Sequence, residues 1–140
     1  AQYPEFADQI SENLAAFCEK LSSLQDYGEQ ALFDLSCRQL VTFHDGFSYF
    51  ADAFSLTIAT AMEVESGSEP SAKELEEIIS IVEENQIPAV FTEVNGETGA
   101  AEVVANEAGC AVRTLDMAIS NRDYFAAMRQ NIDIVKEALG

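Results

Sequence analysis

Four short runs rich in β-branched and apolar residues, Leu40 to Phe43, Thr57 to Val64, Ile87 to Phe91 and Cys110 to Leu115, alternate along the chain with segments of helical periodicity. Strands joined through helices rather than tight turns lie parallel, with right-handed crossovers that place helices on both faces of the sheet. The pattern therefore predicts an α/β fold built on a four-stranded parallel sheet. A long helix precedes it: Pro4 is followed by Phe6, Ile10, Leu14, Phe17, Leu21 and Leu24, whose spacings of three and four form one apolar stripe. That helix is expected to end near Tyr27 and Gly28, with a short helical turn over Ala31 to Leu35.

The helices between the strands carry their own punctuation. Ser71-Ala-Lys-Glu74 is a capping box, after which Leu75, Ile78, Ile79 and Val82 supply a buried face. Small residues from Ala100 to Ala108 make a helix that can lie close on a sheet, closed by Gly109 where left-handed backbone is wanted. Asp123 is placed to cap a last helix with Phe125, Met128, Ile132, Val135 and Leu139 at helical spacing. Glu65 to Pro70 reads as a turn cluster, and Pro88 is tolerated at the first residues of its strand. The aromatic and methionine positions read as core rather than as a cofactor box.

At 140 residues the chain has room for one continuous core. No stretch approaches the roughly 20 apolar residues needed to span a bilayer, and no basic segment followed by an apolar one opens the sequence, so the chain as given is expected to be soluble. Twenty-five acidic against seven basic residues give a formal charge of -18, a field that repels nucleic-acid phosphates and concentrates cations. Nucleic acid is thereby excluded as an expected partner. Much of the acidity, including Glu12, Glu19, Glu76, Glu77, Glu83 and Glu84, falls on surface helices, so the charge permits a cation site without locating one. Cys18, Cys37 and Cys110 lack C-x-x-C spacing, which removes zinc-finger and thioredoxin readings; an odd count leaves at least one free thiol, and a disulfide between two of them stays open.

Parallel strands gather their C-terminal ends on one rim, where ligands bind near the point at which strand order reverses. His44 and Asp45 follow the first strand, Glu93 the third and Asp116 the fourth. His44 is the chain's single histidine. Imidazole and carboxylate together suit zinc or manganese, whereas copper(I) would want sulfur. The set falls short of the three or four protein ligands that zinc takes. Glu93 can equally cap the next helix or pair with Arg113 or Arg122. No G-x-S-x-G elbow, G-x-G-x-x-G turn or P-loop is present, so catalysis and phosphate cradling find no motif.

The order of the motifs says more than any one of them. Val41-Thr-Phe-His-Asp-Gly-Phe-Ser-Tyr-Phe50, Ser68-Glu-Pro-Ser71 before a Leu/Ile helix, Val90-Phe-Thr-Glu93 and Thr114-Leu-Asp116 together resemble the C-terminal lobe of the zinc/manganese solute-binding proteins of ABC transporters, the ZnuA/TroA-like family. The resemblance covers nearly the whole chain. It implies that residues 1–35 are the end of a helix linking two lobes together with the entry into the second, and that residues 36–140 are the C-terminal lobe. It implies a metal ligand at His44 and another at Asp116, with Glu93 supporting, and zinc as the ion because manganese-type members tend to carry glutamate at the position of His44. Expected partners are the metal ion, an N-terminal lobe supplying two further histidines, and an ABC permease, in an extracytoplasmic and lipid-anchored setting without catalysis. With half the ligands missing, zinc is expected to bind the lobe alone weakly or not at all.

A second reading from another class is a receiver-like domain that accepts phosphate on an aspartate. It requires a lysine near the end of a later strand, while Lys20, Lys73 and Lys136 all fall in predicted helices. An interaction module leaves no motif by which sequence could exclude it.

Overall fold

A computed structural model of the chain describes residues 3–62, 70–118 and 123–140. A single 3-10 turn, Pro4–Phe6, leads into α1 (Ala7–Ala31), followed by β1 (Gln39–Thr42), α2 (Ser48–Ala53), β2 (Thr57–Ala61), α3 (Ala72–Glu84), β3 (Ala89–Glu93), α4 (Gly99–Ala108), β4 (Ala111–Leu115) and α5 (Tyr124–Leu139). The four strands form one parallel sheet in the order β2-β1-β3-β4. The predicted alternation and the leading long helix are therefore present, and strand order reverses between β1 and β3. The turn expected over Glu65 to Pro70 lies, except for Pro70, outside the described residues, as does Val64.

Side chains alternate across the sheet as the pleat requires. Leu40, Ala89, Phe91 and Leu115 face a cluster completed by Phe50 and Ala51 of α2 and by Ile132, Val135 and Leu139 of α5. Val41, Phe43 and Val90 face the other side, against Ile78 and Val82 of α3 and Ala101, Val104 and Ala105 of α4. The central strands are buried on both faces, which explains their continuous apolar runs. The local signals work as read: Ser71 Oγ accepts from the Glu74 amide while Glu74 reaches back to the Ser71 amide at 2.8 Å, Gly109 sits at φ 70°, and Asp123 accepts from the Ala126 amide at 3.0 Å. Among the described residues no helix is long and apolar enough to cross a membrane, and the three cysteines are free thiols.

Two expectations are corrected. Helix α1 does not stop at Gly28 but runs through it to Ala31, because Gly28 is a point of close approach rather than a terminator. A Cβ there would lie 2.1 Å from Cε1 of the Phe54 ring, which is itself held edge-on against Phe50. Nor is every aromatic position core. Phe6 and Phe17 are about half exposed, Tyr49 is 92% exposed, and Ile10, Leu14 and Leu21 of the α1 stripe are also exposed. The reason is length: 25 residues of helix extend about 37 Å, while five-residue strands reach about 17 Å, so only the last turns of α1, with Leu24, Tyr27 and Ala31, meet the core.

Arg38, between α1 and β1, fastens this corner. Its guanidinium donates to the carbonyls of Leu32, Phe54 and Ser55 at 2.8, 2.7 and 3.0 Å, engaging the C-terminal ends of α1 and α2 where carbonyls lack helical partners. Helices α1 and α5 are joined by the Tyr27 hydroxyl donating to Asp133, with the Arg129 guanidinium stacked 3.7 Å from the Tyr27 ring centroid. The hydrogen bond to Asp133, aided by desolvation, raises the Tyr27 phenol above its ordinary pKa.

Gly28→Ala should destabilise the chain by about 1–3 kcal/mol through overpacking on Phe54, although alanine is the better helix former. Urea unfolding would read this, and a stabilised variant would contradict the assigned contact. Arg38→Ala should cost about 2 kcal/mol, with Arg38→Lys recovering only part because an ammonium cannot serve three separated carbonyls in one plane. A loss within about 0.5 kcal/mol, as at an unengaged surface position, would remove Arg38 from this role.

Candidate functional site

Register decides what the rim of the sheet presents. Thr42 of β1 pairs with Phe91 of β3, and the Phe43 amide donates to the Phe91 carbonyl at 2.9 Å, so that His44, two residues beyond Thr42, arrives level with Glu93. Glu93 pairs with Leu115 of β4, and the Val94 amide donates to the Leu115 carbonyl at 2.9 Å, so Asp116 is the next residue past the same row. Three side chains distant in sequence are thus delivered to adjacent strand ends, and the gap between β1 and β3 is where the strand order reverses.

His44 Nδ1 lies 4.0 Å from Glu93 Oε1, with the two side chains 43% and 26% exposed. Glu93 therefore turns toward the imidazole. At partial exposure such a pair adds little to stability, so its interest lies in orientation. The Glu93 side chain is folded over a tight turn: the Gly96 amide donates to the Glu93 carbonyl at 3.0 Å, Asn95 has φ 68°, and a Cβ on Gly96 would lie 2.5 Å from Glu93 Cγ.

Asp116 is 3% exposed. Its Oδ1 accepts from the Ala118 amide at 2.8 Å, closing a small turn in which Ala118 takes φ 59°, a left-handed conformation that costs an alanine about 1–2 kcal/mol. Its backbone amide donates to Asn131 Oδ1 at 2.8 Å, and its carbonyl accepts from Asn131 Nδ2 at 2.7 Å. The loops after β1 and β4 meet at Gly46, where a Cβ would lie 2.3 Å from Met117 Cε and 3.1 Å from His44 Cδ2. Asp116, Met117, Gly46 and Asn131 also line a cavity of about 400 Å³ whose other walls, from α1, α2 and its flanks and α5, are mostly apolar and aromatic, with Gln25 among them.

Chemically this is one imidazole with the Glu93 carboxylate 4.0 Å from it and the Asp116 carboxylate at the end of the next strand. Among the described residues there is no group of three or more His, Cys, Asp and Glu side chains close enough to hold a metal ion by themselves. His44 Nδ1 and Glu93 Oε1 at 4.0 Å stand at ion-pair distance, beyond hydrogen-bond length, and form no cage by themselves. Sequence reasoning reached His44, Glu93 and Asp116 but not Gly46, Met117 or Asn131. Asn131 did leave a signal, as an amide interrupting the apolar series Met128, Ile132, Val135 on the buried face of α5.

The contact at Gly46 can be tested by a double-mutant cycle. Gly46→Ala should cost under about 1 kcal/mol, because the flexible end of Met117 can swing aside, whereas Gly46→Val should destabilise the chain by about 1–2 kcal/mol with Met117 present and by much less in a Met117→Ala background. Equal losses in both backgrounds would mean that the two loops do not touch there.

Comparison with known proteins gives this rim a context. The family model for the zinc-uptake complex component A, periplasmic (ZnuA), matches residues 1–138. The zinc-binding protein AdcA of Streptococcus pyogenes is 30% identical over 142 residues, spanning 96% of this chain and 28% of AdcA. The metal ABC transporter substrate-binding lipoprotein FimA of Streptococcus parasanguinis is 24% identical over 148 residues, spanning 99% of this chain and 48% of FimA. A crystal structure of ZnuA superposes with a TM-score of 0.85 at 33% identity, covering 98% of this chain and 50% of that one. The chain thus spans about half or less of the length of these relatives. The receiver-like alternative loses its footing, since Lys20, Lys73 and Lys136 lie in α1, α3 and α5 and none ends a strand. With a match over almost its entire length, the chain belongs to the ZnuA family of periplasmic zinc-uptake component A proteins.

Proposed function

We propose that this chain is the C-terminal lobe of an extracytoplasmic metal-binding receptor that delivers zinc to an ABC permease, a binding and hand-over role with no chemical step. Zinc here is cargo, held at the rim by His44 and Asp116. The observation that carries the reading is the approach of Glu93 Oε1 to His44 Nδ1 at the strand-order reversal. A metal-binding histidine characteristically offers one nitrogen to the ion while the other donates to a carboxylate that fixes the ring. At 4.0 Å the pair stands just beyond hydrogen-bond length, and on that pattern His44 presents Nε2 to zinc while Glu93, closing on Nδ1, orients the imidazole without coordinating. Asp116 adds a carboxylate oxygen, and Met117 brings an apolar wall beside the ring.

Imidazole favours zinc over manganese, which is the alternative cargo. The remaining ligands come from an N-terminal lobe, closing over the ion from the other side. Support for that partner is the exposed stripe Phe6, Ile10, Leu14, Phe17 and Leu21 on α1, together with the half-length coverage of the ZnuA structure. The periplasmic family description and the lipoprotein name of FimA support an extracytoplasmic, lipid-anchored setting.

Competition titration against a chromogenic chelator tests the ligand assignment. His44→Ala should weaken zinc binding at least tenfold relative to the unaltered chain while leaving the fold intact, and manganese should bind more weakly than zinc in both. Unchanged zinc affinity in His44→Ala would sink the assignment. Sub-nanomolar binding by this lobe alone would contradict a shared, two-lobe site.

A further inference from the structure

We infer that Asn131 is a positioning residue for the cation site: its side-chain amide holds both backbone groups of Asp116 and so sets where that carboxylate stands. The inference rests on the metal reading proposed above and assigns a role to a residue that does not itself reach the ion.

The geometry is specific to an amide. Asn131 Oδ1 accepts from the Asp116 N–H at 2.8 Å while Nδ2 donates to the Asp116 carbonyl at 2.7 Å, so one planar group satisfies a donor and an acceptor on the same residue. Asn131 is 1% and Asp116 3% exposed, leaving little water to replace either bond if it is lost. Just past the end of β4, where the ladder to β3 stops supporting the backbone, the clasp continues that support from α5. With the backbone fixed on this side and Oδ1 engaged by the Ala118 amide on the other, the Asp116 side chain keeps little freedom. The left-handed turn at Ala118 is held by the same contacts. A carboxylate that must meet an ion jointly with residues from elsewhere gains most from such restraint, because the ordering is complete before the ion arrives.

A merely structural role would also place a buried amide here, so the test separates the two. Asn131→Leu keeps the branched shape and heavy-atom count, though with bulkier methyl groups, and removes both bonds; Asn131→Asp keeps the acceptor for the Asp116 amide and removes the donor to its carbonyl. Val135→Ala, one turn on in the same helix and fully buried, loosens α5 through apolar contacts alone. For each, the zinc dissociation constant is measured by chelator competition, the thermal midpoint by circular dichroism, and the exchange rate of the Asp116 amide by NMR. Asn131→Leu should weaken zinc binding about 10- to 100-fold and speed Asp116 amide exchange well beyond that of Leu115, with Asn131→Asp between it and the unaltered chain. Val135→Ala should lower the midpoint yet leave zinc affinity within about twofold. A folded Asn131→Leu that binds zinc as the unaltered chain does, or a Val135→Ala that loses as much affinity, overturns the inference. Because half the ligands lie elsewhere, zinc is taken to millimolar concentration so that even a weak half-site fills; an unaltered chain whose loops after β1 and β4 do not respond there overturns the metal reading instead, and an Asp116 amide that exchanges no faster in Asn131→Leu overturns the clasp itself, so the two failures are told apart.

Discussion

The parallel pairing of β1, β3 and β4 is the constraint on which the rim depends. Because strand residues alternate sides with a period of two, a slip of one residue in either pairing would turn a strand's buried set toward the wrong layer of helices and carry its loop out of line. Leu40, Phe91 and Leu115 on one face, and Val41 and Val90 on the other, are all fully buried, so both faces resist such a slip. The same packing that stabilises the sheet therefore delivers His44, Glu93 and Asp116 to neighbouring positions. The site needs no special device for its assembly; it inherits its alignment from the core.

Around that alignment the loops are built for close approach. Gly46 lets Met117 settle beside His44, Gly96 lets Glu93 fold over its own turn, and Asn131 clasps the backbone at Asp116. Each of these residues limits how far the side chains at the rim can wander. Strain is retained at Ala118, in the loop after β4. A left-handed alanine beside a carboxylate of this kind fits the general tendency of functional loops to hold conformations that the rest of the fold must enforce.

How much of this the sequence discloses follows from which signals are local. Capping at Ser71 and Asp123, the left-handed closure at Gly109 and the apolar runs of β1 and β3 depend on a few neighbouring residues and could be read directly. Gly28 could not, because its reason is the Phe54 ring, brought to it by the tertiary fold. The exposure of Phe6 and Phe17 escaped for a related cause: periodicity reports that a helix has an apolar face, not whether this chain supplies the surface that covers it. That His44, Glu93 and Asp116 share a rim was legible from topology, since each ends or follows a parallel strand. Asn131 showed only as an amide on an apolar helix face; what it holds was hidden, because its partners are backbone atoms, which leave no mark in a sequence.

The central claim is that three loop ends at one edge of the sheet form half of a cation cage. Residue-by-residue NMR mapping of the chain during titration with zinc addresses it most directly, because every amide reports at once. The account predicts shifts concentrated at residues 44–46, 93–96 and 116–118 and at Asn131, with the acidic outer face of α3, including Glu76, Glu77, Glu83 and Glu84, scarcely affected. Shifts centred on that helical face, with the three loops silent, would contradict it.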